Sequence, residues 1–333
     1  MICANCNTEI TEKKYLTCTD CNKKLHLSCP NKCSKCATIL CDVCALVNKK
    51  VCKTCAEKGA YMPDVIRRSH IELYKSCPYA FYKEVVEGVE VPNGVYAQVG
   101  IDLHELFNQY SCYEEASSRK IMIEQWSEIF NNYPDNLFED VAKIDFYNKG
   151  ITCIDKFLYY ESFMPYPFAT EETIKFNISD GLPDVQITMD RINEIDGELE
   201  LVDYKTGKVM VGQKLSTDLQ VPLYTYAVYK HYGRMPKRFR LLYLFEDKER
   251  VFERIDDDKM VCTVRKKDYV VSIQEALREV KTIFGRIKQG HFSIPHKPDF
   301  FACKMCHLRT INQCSGSIDE KWKQVNESRG VYT

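Results

Sequence analysis

Eleven of the 18 cysteines crowd into the stretch from Cys3 to Cys55, and no other feature limits the fold of this chain so strongly. The same stretch is poor in large aliphatic residues and rich in Lys, Asn and Thr, so it lacks the material for an ordinary apolar core. Thiols must hold it together, as disulfides or as metal ligands. The opening Met1-Ile2-Cys3-Ala4-Asn5-Cys6 has no basic region followed by an apolar run, so no export signal is expected and a cytoplasmic location follows. In a reducing compartment, paired cysteines read as metal ligands. The ligand-type positions are Cys3, Cys6, Cys18, Cys21, His26, Cys29, Cys33, Cys36, Cys41, Cys44, Cys52 and Cys55, enough for two or three tetrahedral zinc sites. With so little apolar material, zinc would supply most of the folding free energy of this module.

The chain has 333 residues, which fits one large domain beside a smaller one. Hydrophobic residues make up 45% and charged residues 28%, and no apolar run approaches the ~20 residues a membrane span needs, so neither a disordered chain nor a membrane protein is expected. The net charge of -1 excludes a uniformly basic nucleic-acid coat. Residues 1–58 nevertheless hold ten Lys against five acids, a balance suited to gripping DNA or docking a protein partner. Gly59 and Pro63 break the chain before long amphipathic segments begin. The expected division is a cysteine-rich module over 1–60, a large domain over 61–320 and a tail over 321–333.

In the large domain, Ser69 and Glu72 read as a capping box opening a helix, and further helices are expected near 97–111, 117–132 and 139–163. Strands are expected over 173–178, 185–195 and 198–205. A helix carrying Tyr224, Tyr226 and Tyr229 follows, then strands over 239–245 and 251–255. A second capping box, Ser272 with Glu275, opens a last helix that Gly290 stops. This order of elements gives a mixed α/β domain.

The most informative segment is the hairpin over 185–207. Asp196-Gly197 between two extended runs signals a two-residue turn with positive φ at both central positions. That turn sets Ile195 opposite Glu198 and, by counting outward, Asp190 opposite Asp203. Carboxylates ~5 Å apart across a strand pair repel unless a cation sits between them. Strand period two adds Lys205 to the face of Asp203. Two hard oxygen ligands of this kind suit Mg²⁺ or Mn²⁺; the competing reading is a solvated charged face.

The string Asp203-Tyr204-Lys205-Thr206-Gly207, with Asp190-Arg191 before it, resembles the core of RecB-type nucleases in the PD-(D/E)xK superfamily. His104, in Gly100-Ile-Asp-Leu-His104, resembles the metal-ligand histidine of that family, and Gln220-Val-Pro-Leu-Tyr224 resembles its Gln-x-x-x-Tyr helix motif. The resemblance implies a restriction-endonuclease-like mixed sheet flanked by helices. It implies an active site in which His104, Asp190, Asp203 and the Tyr204 carbonyl hold Mg²⁺ or Mn²⁺, Lys205 orients or helps to deprotonate the attacking water, and Gln220 and Tyr224 position the strand. The literal Pro183-Asp184 precedes the hairpin and is read as the turn leading into its first strand. Lys230, Arg234, Lys237, Arg238 and Arg240 form a candidate phosphate-tracking patch.

Cys77 near the start of the large domain and Cys303, Cys306 and Cys314 near its end resemble the ligands of iron-sulfur nucleases, namely the AddB nuclease and the CRISPR-associated exonuclease. The resemblance implies a [4Fe-4S] cluster joining the two ends of the domain, with His307 the alternative fourth ligand and zinc the alternative metal. Cys112, Cys153 and Cys262 stand alone and read as inert buried thiols. In the first module, Cys3-x-x-Cys6, Cys18-x-x-Cys21 and His26-x-x-Cys29 resemble the opening of a cross-braced PHD or RING finger, in which the first and third pairs share an ion; the later pairs leave the connectivity open.

The function expected is a metal-dependent DNA nuclease, an exonuclease acting in recombination, repair or processing on single strands or duplex ends. No P-loop string occurs, so any helicase motor would be a separate protein, docked through the zinc module. The rival is a catalytically silent scaffold that binds nucleic acid or recruits a partner.

Overall fold

The computed structural model describes residues 2–7, 9–10, 15–19, 21–25, 27–28, 30–32, 39–47, 62–110, 119–138 and 142–295, together with positions 303, 306, 308, 311 and 314. The chain divides into two compact units, residues 1–92 with 280–333, and residues 93–279.

At the start of the first unit, β1 (Leu16–Thr17) pairs antiparallel with β2 (Lys24–Leu25), and β3 (Asn31–Lys32) with β4 (Ile39–Leu40), before α1 (Asp42–Val47). The buried centre consists of Cys3, Ile10, Cys18, Leu25, Leu40, Cys41 and Ala45. Three of these seven are cysteines, so the apolar burial is slight, as the composition requires.

Farther along, β5 (Val65–Arg67) runs directly into α2 (Arg68–Ser76). The helix therefore starts ahead of Ser69: its cap is Arg67 in an extended conformation, with no side-chain capping bond, and the expected Ser69–Glu72 box is not used. Cys77 breaks the helix at φ -155°, and Pro78 opens a further helical turn over Pro78–Phe81. Phe292 returns onto this segment. Its ring stacks on Phe81 at 6.1 Å and lies 5.1 Å from Tyr82, while the Tyr74 hydroxyl donates to the His291 carbonyl at 2.7 Å.

The second unit opens with α3 (Val95–Tyr110), α4 (Arg119–Asn131) and α5 (Lys143–Glu161), close to the expected helices. Their shared core is aromatic, with Phe107 stacked on Phe157 at 4.5 Å and Trp126 against Phe130 at 5.3 Å. Gly150 is required there, because a Cβ at that position would lie 2.2 Å from the Trp126 ring.

Seven strands of this unit form one sheet. They are β6 (Ala169–Phe176), β7 (Asp184–Ile195), β8 (Glu198–Lys205), β9 (Arg238–Tyr243), β10 (Lys248–Arg254), β11 (Lys259–Val264) and β12 (Lys267–Ser272). The spatial order is β12-β11-β10-β9-β8-β7, with β6 paired to β7. All pairings are antiparallel except β8 with β9, which are parallel and joined through α6 (Gln220–Tyr232). The β11–β12 pair was not expected from sequence. Last comes α7 (Ile273–Lys288), whose Glu275 N–H donates to Ser272 Oγ at 3.1 Å, as the second capping box requires. The fold class is the mixed sheet flanked by helices expected of this sequence. Among the described residues, no helix is long and apolar enough to cross a membrane.

Candidate active site

The turn at Asp196 and Gly197 has φ of 52° and 78°, so both central residues are left-handed as the Asp-Gly pair allows. The ladder runs from Ile195–Glu198 to Arg191–Val202, and one more step of that register sets Asp190 opposite Asp203. At that step the regular ladder stops. The Tyr204 N–H donates instead to Asp190 Oδ2, at 2.8 Å, which places the carboxylate in the fork between the strands.

On the other side of β7, the pairs Thr170–Arg191 and Glu172–Met189 set Glu171 opposite Asp190. Glu171, Asp190 and Asp203 therefore form an acidic row across three adjacent strands. Glu171 has a φ of 48°, a conformation a non-glycine residue adopts at some cost. His104 on α3 completes the group, with Nδ1 3.4 Å from Asp190 Oδ2. Ligand atoms of His104, Glu171 and Asp190 all lie within 4.8 Å of one another. Asp203 stands beside this set: Lys205 Nζ is 2.6 Å from its Oδ2, and Gln220 Nε2 donates to its Oδ1.

The electrostatics follow from burial and proximity. Burial pushes the His104 pKa down, but Asp190 and Asp203 push it up and prevail. Burial also penalises the Asp190 carboxylate, yet His104, Lys205 and the Tyr204 N–H hold its pKa below the ordinary value. Asp203 is raised, by burial first and by Asp190 next, against the opposing pull of Lys205. Glu171 is pushed up to about 7, again by burial and then by Asp190. Glu171 and Asp203 are each raised in part by Asp190, a crowding of carboxylates that a divalent cation would relieve.

The residues fit a hard cation. Asp203 Oδ2 is buried and meets Lys205 Nζ at 2.6 Å, and a carboxylate oxygen with that single cationic neighbour keeps lone-pair capacity for a metal. Octahedral Mg²⁺ with bonds of about 2.0–2.1 Å places its ligands about 3–4 Å apart, within reach of the spacing seen here. A cleft of about 620 Å³ opens on the group, lined by Tyr96, Gly100, Ile101, His104 and Glu171.

Sequence reasoning missed Glu171. The strand was expected to begin at Thr173; begun at Ala169, where β6 starts, its register sets Glu171 across from Asp190. Asp184, expected in the turn before the first strand, is instead the first residue of β7 and accepts from Asn177 Nδ2 at 3.2 Å. Tyr224 is packed in the core, its ring stacked 6.1 Å from Phe239. Three residues of the expected basic patch are paired with acids: Arg234 with Glu194 at 2.9 Å, Arg238 with Glu253 at 3.0 Å and Arg240 with Glu249 at 2.9 Å. The phosphate-tracking role is thereby weakened at these positions.

The cysteine sites are separate. Cys18, Cys21, Cys41 and Cys44 lie together, with the sulfurs of Cys21 and Cys41 3.7 Å apart and the Cys44 N–H donating to Cys41 Sγ at 3.5 Å. Tetrahedral zinc with Zn–S bonds of about 2.3 Å separates its sulfurs by about 3.8 Å, so the donor set fits. The Cys44 thiol is raised by burial and then by the neighbouring thiols, a crowding that a bound cation would relieve. The second cysteine pair therefore meets the fourth. Cys3 and Cys6 are not in this group, and His26, Cys29, Cys33, Cys36, Cys52 and Cys55 lie outside the described residues.

Cys77 shares a neighbourhood with Cys303 and Cys314: burial pushes its thiol up to about 11, and those two thiols push the same way. Cys306 follows in the same turn, its N–H donating to the Cys303 carbonyl at 3.3 Å. These four do not close to the 4.8 Å spacing of the other two groups. Cys153 and Cys262 are buried, as expected of inert thiols, while Cys112, His307 and the tail over 321–333 lie outside the described residues.

No curated protein matches this chain. Among solved structures, the crystal structure of SSO0001 aligns with 14% identity over 75% of this chain and 96% of that one, at a TM-score of 0.29. Residues 68–311, most of the chain and all of the acidic row, match the PD-(D/E)XK nuclease superfamily, and the chain belongs to that superfamily.

Proposed function

We propose that this protein is a divalent-metal-dependent deoxyribonuclease of RecB type that degrades DNA from its ends, in recombination, repair or processing. The observation that carries the reading is the acidic row Glu171, Asp190 and Asp203 with His104 at one end and Lys205 at the other. His104, Glu171, Asp190, Asp203 and the Tyr204 carbonyl are the groups that would hold Mg²⁺ or Mn²⁺. When bound, the ion supplies Lewis-acid stabilisation of the charge that grows on the phosphate oxygens.

The chain's own residues do the rest. Lys205, 27% exposed at its side chain, reaches from Asp203 toward solvent, where its ammonium donates to and orients the attacking water, whose proton passes to solvent as the phosphorus–oxygen bond forms. Gln220 holds the Asp203 carboxylate in one rotamer. The cleft beside His104 admits the strand, and the departing oxygen takes its proton from solvent through that opening. A Cys18, Cys21, Cys41 and Cys44 zinc site would fold the first module for docking DNA or a protein partner such as a separate motor. Cys77, Cys303, Cys306 and Cys314 are the proposed ligands of a structural [4Fe-4S] cluster.

The test is incubation with Mn²⁺ and four labelled substrates: linear and closed circular DNA, each single- and double-stranded, with RNA alongside. Loss of linear DNA with circles and RNA spared supports the proposal. Cut circles would make the enzyme an endonuclease, and uncut DNA of every form would remove the assignment. Iron and acid-labile sulfide in anaerobically purified protein decide the cluster against zinc.

A further inference from the structure

Beside the acidic row a second set of charges is buried. Arg191 follows Asp190 on β7 and is 1% exposed. A guanidinium keeps its proton at any depth, so it needs a fixed counter-charge there. Glu161, the last residue of α5, provides it: Arg191 Nη1 donates to Glu161 Oε2 at 2.7 Å. The remaining guanidinium nitrogens donate to Asn193 Oδ1 at 2.7 Å and to the Pro165 carbonyl.

The other Glu161 oxygen is also taken. The Tyr204 hydroxyl donates to Glu161 Oε1, and its ring packs against Phe107 and Phe157. Tyr204 follows Asp203 on β8, and its backbone N–H holds Asp190. One carboxylate from a helix thus grips the residue after each of two acids, at the point where the regular β7–β8 ladder has ended.

We propose that Glu161 is a positioning residue: by bridging Arg191 and Tyr204 it fixes the separation of Asp190 and Asp203, and so sets the affinity of that pair for a divalent cation. This rests on the reading of the acidic row as a metal site. None of the three side chains belongs to the ligand set, so their effect passes through the placement of the two strands.

The test is Mn²⁺ binding by the full-length protein, followed by the electron paramagnetic resonance of free and bound ion well below the melting temperature. Glu161→Gln keeps the shape and removes the charge; Tyr204→Phe removes one contact and leaves the ion pair. The expected result is Mn²⁺ affinity lowered about 10- to 100-fold in Glu161→Gln and by less in Tyr204→Phe, with unchanged circular dichroism. Wild-type affinity in a folded Glu161→Gln overturns the proposal, and if that variant does not fold, wild-type affinity in Tyr204→Phe does so. Asp203→Ala is the control for the underlying reading: binding that this change leaves intact removes the metal site itself, and the clamp with it.

Discussion

Gln220 Nε2 donates a hydrogen bond to Asp203 Oδ1, so this glutamine holds one carboxylate of the acidic row. Both residues are buried, so the bond is sheltered from water and has no solvent substitute. Gln220→Ala is expected to raise the Mn²⁺ midpoint of cleavage about 10- to 100-fold, with the rate at saturating Mn²⁺ much less changed. Cleavage measured across a Mn²⁺ titration checks this; a lowered rate at saturation with an unmoved midpoint would place Gln220 at the substrate instead.

Glu171 makes the metal-free protein sensitive to pH. Its carboxyl is pushed up to about 7 from an ordinary 4.5, chiefly by burial. Between those values the folded chain keeps a proton that the unfolded chain has released, so stability falls as pH rises through that interval. His104, also held above its ordinary value, contributes in the same direction. Thermal melts of the metal-free protein should therefore drop in midpoint as pH rises from about 5 to 8, and Glu171→Gln should flatten the slope. A wild-type slope in that variant would contradict the assignment.

The hairpin was legible because its chemistry is local. Only a pair such as Asp196-Gly197 takes positive φ at two successive positions cheaply, and once the turn is placed the register follows by counting. The β11–β12 hairpin was hidden for the same reason in reverse. Its turn uses Arg265 and Lys266 at φ 51° and 66°, residues that carry no turn signal. Glu171 was hidden by a strand boundary set a few residues late, and the meeting of Cys18 and Cys21 with Cys41 and Cys44 by the fact that spacing names ligands without naming partners.

Gly150 faces the Trp126 ring at a distance no side chain tolerates, and Trp126 is pinned by a 3.1 Å bond from its Nε1 to the Tyr147 carbonyl. Gly150→Ala is expected to cost about 1–3 kcal/mol and to lower the melting temperature by about 2–12 °C, despite the better helix propensity of alanine. An unchanged midpoint in a calorimetric scan would show that α4 and α5 repack freely.

The four-cysteine group near the N-terminus should hold zinc tightly, since the apolar centre around it is so small. Cys41→Ser is expected to reduce the zinc content measured by mass spectrometry and to expose residues 1–60 to protease. Zinc content equal to wild type would assign the metal to other ligands.

The most direct test of the account is the rate at which end-labelled DNA is cleaved in Mn²⁺ by the wild-type protein and by Asp203→Ala, side by side. The account predicts cleavage that a chelator stops and that the substitution lowers by at least about 100-fold. Equal rates for the two proteins would contradict it.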